Sequence, residues 1–150
     1  MELVMVLVVL GVVLAIAAPI FSGFIAGRQA PDAAQAVLGL TRWSHSQAVS
    51  QGQLCRLNVD ARAGAFWITV QQGGSFVEPD NDNHRFTAPE GVSVSMQSSA
   101  KPPQTYVQFY PSGRNDVATI EIRGRNGQEY DVTCLSATEA FVITSPTGGQ

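Results

Sequence analysis

Residues Leu3 to Gly27 are 25 consecutive uncharged positions, and a chain carrying such a run has few folds open to it. A bilayer core is crossed by roughly 20 helical residues rising about 1.5 Å each, so the segment is long enough to span. Residues 1–27 hold 21 apolar residues and a single charge, Glu2, whereas the other 123 residues carry 20 of the 21 charges. Two solvents are implied, one apolar and one aqueous. With the first 27 residues set aside, the apolar fraction falls from 45% to about 38%, that of a soluble domain with a modest core. A length of 150 residues then allows one domain behind one apolar segment.

A secretory signal peptide does not fit. It would have a basic start and an apolar stretch of about 7 to 15 residues, and here no Lys or Arg precedes a longer run. Three residues also separate the segment from a generic single-pass anchor. Glu2 places a carboxylate at the edge of an apolar helix, where an unpaired charge costs on the order of 2 to 4 kcal/mol and calls for a partner. Gly11 interrupts a Val/Leu run, and Pro19 lacks the amide hydrogen that would bond four residues back, which kinks or loosens a helix.

Glu2, Gly11 and Pro19 stand nine and then eight residues apart, and over these 18 positions the chain resembles the N-terminal helix of type IV pilins and type II secretion pseudopilins. The resemblance implies that Glu2 compensates the N-terminal ammonium of a neighbouring subunit where the helices bundle, the buried pair fixing register. It implies that Gly11 and Pro19 let the helix loosen as it leaves the membrane. It further implies a precursor with a short basic leader ending in Gly, cleaved there and methylated by a prepilin peptidase. In this register Met1 falls immediately before the family Glu, so the expectation is a leader encoded just upstream, or a shortened chain.

Beyond Arg28, the spacing of Ala33, Ala36, Val37, Leu40, Trp43 and Ala48 predicts one face of a continuing amphipathic helix over 28–52, ending near Gln51 or Gly52. Gly27 and Pro31 leave continuity between the two helical stretches open. From there the period changes to two, and strand-like runs follow at 53–60, 65–71, 91–97, 105–110, 117–123, 128–135 and 139–144. Asn126-Gly127 predicts a two-residue hairpin joining 117–125 to 128–135. Residues 73–83 and 98–104 read as loops, and 145–150 as a loose tail. The expected fold class is α+β: a long N-terminal transmembrane and amphipathic helix packed on an antiparallel head over 53–144, with two sheets in a sandwich-like arrangement.

The order of motifs in the head resembles the GspH/FimT family of minor pseudopilins and minor pilins. Ala48-Val49-Ser50-Gln51-Gly52-Gln53 stands where that family has an Ala-x-x-x-Gly-Gln helix end. Phe66-Trp67-Ile68-Thr69-Val70 follows in a strand, then Pro89-Glu90-Gly91-Val92 and Phe109-Tyr110-Pro111-Ser112-Gly113. The resemblance covers nearly the whole chain. It implies a minor pseudopilin of the H type, a structural subunit near the tip of a type II secretion pseudopilus that supports export across the outer membrane. Its implied partners are the other minor pseudopilins, the major pseudopilin and the inner-membrane assembly platform. The implied location is a single-pass inner-membrane protein with its head in the periplasm, later incorporated into the pseudopilus. The exposed loops at 73–83 and 98–104 are the expected contacts with other minor subunits.

Cys55 shares a strand face with Leu57 and Val59, and Cys134 shares one with Tyr130 and Val132, so both point to the core. In the periplasm implied by the resemblance a disulfide forms readily, and one here would close a loop of about 80 residues, contributing about 4 kcal/mol in the chain-entropy model. Two buried thiols acting as small hydrophobes are the other reading. The loop Glu78-Pro79-Asp80-Asn81-Asp82-Asn83 has calcium-ligand residue types, but Arg85 and Gly91 stand where an EF-hand needs Gly and Glu. It reads as a solvated turn, and no metal or cofactor is expected. His45 and His84 lack a nucleophile or ligand partner at a useful spacing. No nucleophile elbow, phosphate loop or helix-borne His pair is present, so the chain reads as non-enzymatic.

The alternative is a FimT-type minor pilin acting in DNA uptake, whose family motif is Gly-Arg-x-Arg. Gly113-Arg114-Asn115-Asp116 and Gly124-Arg125-Asn126-Gly127 each supply one Arg where two are needed. Residues 28–150 carry 9 basic and 11 acidic groups, while DNA affinity rests mainly on neutralised phosphates. Arg114, Arg123 and Arg125 on neighbouring loops would form the patch that this alternative requires.

Overall fold

A single helix, α1 (Glu2–Gln51), runs for 50 residues, about 75 Å at 1.5 Å per residue. The computed structural model describes residues 2–80 and 84–145, with the side chains of 18–22 and 24–26 outside the description. The helix continues through Gly27 and Pro31 without a break. Pro31 removes one intrahelical bond and sets its ring against the carbonyl four back, a cost of about 3 kcal/mol, and the burial that follows immediately offsets it. Ala30, Ala34, Val37, Thr41, Ser44 and Ala48 are all 1% exposed or less. Their alternating steps of four and three make one straight stripe. Gly52, at φ +63°, ends the helix in the left-handed region that glycine adopts without strain.

Among the described residues nine strands follow: β1 (Cys55–Asp60), β2 (Ala65–Gln72), β3 (Ser75–Val77), β4 (Arg85–Thr87), β5 (Ser93–Ser98), β6 (Tyr106–Phe109), β7 (Ala118–Arg123), β8 (Glu129–Thr133) and β9 (Val142–Thr144). The first sheet has the order β3-β2-β1-β6, with β4 beside β3 on the same strand β2. The second has the order β5-β7-β8-β9, and all pairings in both are antiparallel. Strict alternation buries Cys55, Leu57 and Val59 on β1, Phe66, Ile68 and Val70 on β2, and Ile120 and Ile122 on β7. Helix α1 touches β1, β2 and β6 of one sheet and β7, β8 and β9 of the other. Side chains from the helix and both sheets therefore share one core, and the class is α+β with two antiparallel sheets.

All seven expected strand segments are present within a few residues. Strands β3 and β4 are additions, β3 lying inside the segment read as the loop 73–83. Three residues each are too short to show alternation, and both owe their existence to the open edge of the long strand β2. The β7–β8 hairpin corrects the two-residue expectation. Gly124 N–H donates to Gln128 O at 2.8 Å and Gly127 N–H to Gly124 O at 3.0 Å, so the loop is Arg125-Asn126-Gly127. Among these only Gly127 has positive φ, +79°, as in a type I turn closed by a glycine bulge. Residues Asn81 to Asn83 of the acidic loop and 146–150 of the tail lie outside the described residues.

The hairpin turn rests on the helix through its smallest side chains. A Cβ placed on Gly124 would stand 3.0 Å from Ala30 Cβ and 2.9 Å from Asn126 Oδ1. Gly124→Val is therefore expected to destabilise the full-length protein by about 1 to 3 kcal/mol through overpacking. Gly39→Ala, where an added Cβ meets nothing within 4 Å, is expected to stabilise it by about 1 kcal/mol through helix propensity. Thermal unfolding in detergent, followed by tryptophan fluorescence, reads both.

Candidate functional site

The first 16 residues of α1 make no use of the head. Leu3 is 75% exposed, Val9 55% and Ile16 63%, and every large apolar residue between them is exposed as well. A helix that is apolar all round is at home only inside an apolar phase or a bundle of its own kind. Glu2 occupies the first turn, where the positive end of the helix dipole favours a carboxylate. With Met5, Val6, Val9, Leu10 and Val13 it lines one shallow, open stripe down the helix. Gly11 lies on this free stretch, and a Cβ there would meet nothing within 4 Å. Its small size thus serves no packing within the chain, although it costs about 1 kcal/mol against Ala in a helix.

The side chain of Pro19 lies outside the described residues, and the helix backbone passes through its position. Among the described residues no helix is long and apolar enough to cross a membrane. The described side chains of the run stop at Ala17, while the uncharged sequence continues to Gly27. The head meets the helix at the end of that sequence, with Asn126 Nδ2 4.0 Å from the Cβ position of Gly27 and Ala30 completely buried.

Both cysteines are buried and unbonded in the structure. Cys55 lies in β1 between Val70 and Phe109 of the adjoining strands. Cys134 follows β8 in the other sheet, and its Sγ is already engaged. It accepts from Asn115 Nδ2 at 2.9 Å and donates to Ser136 O at 2.7 Å. His45 and His84 are half-buried and structural. His45 Nε2 is 3.1 Å from Gly113 O, and His84 stacks on Trp43 with ring centres 3.8 Å apart. Among the described residues no cluster of His, Cys, Asp or Glu has a metal-holding arrangement.

The three arginines of the DNA alternative are not brought together. Arg114 precedes β7, and Arg123 and Arg125 follow from its far end, so the strand alone separates them by about 16 Å at 3.3 Å per residue. Arg123 is also committed to carboxylates, with Glu129 Oε1 at 2.9 Å and Glu121 Oε2 at 3.9 Å. Arg125 lies against Gly91, its Nε 2.6 Å from where a Cβ on that glycine would stand. Sequence reading placed these residues on neighbouring loops; they occupy opposite ends of one sheet.

The family model described as type II transport protein GspH matches residues 33–138. No curated protein sequence matches the chain. Among solved structures it is similar to the minor pseudopilin EpsH from the type 2 secretion system of Vibrio cholerae. The TM-score is 0.64 at 18% identity, over 81% of this chain and 99% of that one. A second structure of EpsH gives 0.61 at 12% identity, over 81% and 97%. The type IV minor pilin FimU of Pseudomonas aeruginosa gives 0.59 at 16% identity, over 83% and 97%. At these identities the likeness is one of fold.

Burial pushes the Cys55 thiol from 9.0 up to about 11, so it stays protonated and unreactive at neutral pH. Unreduced, native, full-length protein is expected to alkylate far more slowly than unfolded protein, and denaturation without reductant to yield two thiols. Fewer than two would reveal a bond. The unfolded chain loses the Cys55 proton first, so stability should fall as pH rises from about 9 through about 11. Unfolding temperatures at pH 8 and pH 10 check this.

Proposed function

The chain belongs to the GspH family of type II transport proteins, and from that premise we propose that it is a minor pseudopilin, a non-enzymatic structural subunit near the tip of a type II secretion pseudopilus. The observation that carries this reading is the division of labour along α1. Its C-terminal half is the spine of the head's core, while the described large apolar side chains of its N-terminal part, Leu3 to Ile16, are exposed on all sides. Such a helix needs one apolar environment after another: a bilayer before assembly, and the packed helices of a filament afterwards. The uncharged run from Leu3 to Gly27 supplies the length for a single pass through the inner membrane, with the head on the periplasmic side.

On extraction the helix gives up lipid contacts and regains helix packing. Gly11, with no packing duty inside the chain, offers a close approach to a neighbouring helix and, with Pro19, a place where the helix loosens during the move. Glu2 supplies the charge that pairs with the N-terminal ammonium of the adjacent subunit. The implied partners are the other minor pseudopilins, the major pseudopilin and the inner-membrane platform, with a prepilin peptidase acting on a leader-bearing precursor. DNA uptake draws no comparable support, because its three arginines are dispersed and one is neutralised.

Glu2→Leu is expected to abolish incorporation. In cells holding the remaining secretion components, the variant should accumulate in membranes at the normal level, disappear from the sheared filament fraction and fail to restore export. Normal incorporation of Glu2→Leu would sink the charge-pair role.

A further inference from the structure

The β7–β8 hairpin and the turn before β5 project from the same end of the second sheet. Arg123 pairs with Ser93 on β5 and with Glu129 on β8, and this is the last paired row at that end. Beyond it stand the loop Arg125-Asn126-Gly127 and the turn Pro89-Glu90-Gly91-Val92, which is closed by Val92 N–H donating to Pro89 O at 3.1 Å. Two contacts fix the level of the hairpin along α1. Asn126 Nδ2 is 4.0 Å from the Cβ position of Gly27, and Ala30 Cβ is 3.0 Å from that of Gly124. Gly27 is where the uncharged run ends, and the next residue, Arg28, is exposed.

That level matters because the run is longer than the phase it would cross. The 25 residues from Leu3 to Gly27 rise about 37 Å, against a hydrocarbon core of roughly 30 Å and about 40–45 Å with both headgroup layers included. Such an excess carries the helix end into the headgroups or makes the helix lean, and polar anchors at the interface set the side to which it leans. Arg125 has the form of such an anchor. It is exposed, and its Nε, Nη2 and Cζ stand 2.6, 2.8 and 2.9 Å from where a Cβ on Gly91 would be. Three nearly equal distances mean that the guanidinium rests flat on the glycine, with its N–H groups in the free edge of the plane. Among the described residues no hydrogen bond or ion pair takes up those groups, not even with Glu90 beside Gly91. Arg123, two residues away, is by contrast held by Glu129 and Glu121.

We infer that the tip of the β7–β8 hairpin is a lipid-contact site, in which Arg125 donates to the phosphate of a glycerophospholipid headgroup, and that this contact sets the side to which α1 leans in the membrane before extraction. The inference rests on the single-pass reading above and adds the chemistry of the lipid contact. Continuity with the apolar run selects the occupant, because the loop touches the helix at the residue where that run stops. The loop's own composition limits the depth. Arg125, Asn126 and Gly127 offer no apolar side chain to the hydrocarbon, so contact ends at the headgroups. Nucleic-acid phosphates fit poorly, since one unspent arginine on a chain of net charge -3 cannot neutralise a run of them.

The test uses the full-length protein reconstituted in vesicles of phosphatidylethanolamine and phosphatidylglycerol. One fluorophore is placed through Gln128→Cys at the hairpin, Ser112→Cys before the far end of β7, or Val9→Cys on the free helix, the two native thiols being buried. A nitroxide on the lipid headgroup should quench the Gln128 label several times more strongly than the Ser112 label, and a nitroxide on the acyl chain should quench the Val9 label. Arg125→Gln is expected to lower headgroup quenching at Gln128 about fivefold, Arg125→Lys to retain it, and both to leave the unfolding temperature unchanged. Vesicles of a galactolipid, whose headgroup has no phosphate, should lower it as Arg125→Gln does. Headgroup quenching at Gln128 no stronger than at Ser112, unchanged in Arg125→Gln or in galactolipid, or not retained in Arg125→Lys overturns the proposal. A Val9 label that escapes the acyl-chain nitroxide overturns the single-pass reading instead.

Discussion

The contact between the small-residue stripe of α1 and the two sheets is the constraint from which the rest of the structure follows. Ala30, Ala34, Val37, Thr41, Ser44 and Ala48 present little bulk, so strands from both sheets can approach one helix and close a common core around it. Each sheet alone is a four- or five-stranded layer with one apolar face and no other cover. Gly124 shows how close the approach is, with no room for a methyl group against Ala30. The cost of Pro31 inside the helix is carried by this burial, which begins one residue earlier.

The sequence was most informative where one physical period ran unopposed. The apolar run, the helix end at Gly52 and the strands of six to eight residues, β1, β2, β5 and β7, were legible because each spans enough residues to show its spacing. The helix stripe was only partly legible. Of the residues expected on it, Val37 and Ala48 belong to the stripe and Ala33 and Leu40 are buried beside it, but Thr41 and Ser44 were passed over as polar and are fully buried. Thr41 meets its hydrogen-bonding need locally, its hydroxyl donating to Leu38 O at 2.8 Å, a common solution for a hydroxyl on a helix. Strands β3 and β4 were illegible because pairing with β2, and no periodicity of their own, defines them.

The candidate site divides in the same way. Glu2, Gly11 and Pro19 were visible as departures from an otherwise uniform segment, since a charge, a glycine and a proline each cost something in an apolar helix. The stack of Arg56 on Phe76 and Tyr106, its guanidinium carbon 3.6 and 4.3 Å from the ring centres, was invisible. Arg56, Phe76 and Tyr106 are 20 and 30 residues apart in sequence, and only the strand order β3-β2-β1-β6 brings the rings to either side of the guanidinium. The error with Arg114, Arg123 and Arg125 has the same origin. Loops that neighbour one another along the chain can lie at opposite ends of a strand.

Because α1 is one unbroken helix from Glu2 to Gln51, the head has a fixed rotational phase relative to the chain's first turn. Each residue of an α-helix turns by about 100° and advances about 1.5 Å. One extra residue anywhere between Ala17 and Ala30 would swing the whole head to a different side of the helix axis, whereas four would return it to within about 40°. The length of the apolar segment is thereby coupled to the compass direction in which the two sheet faces look, and a helix with a true hinge at Pro31 would have no such coupling.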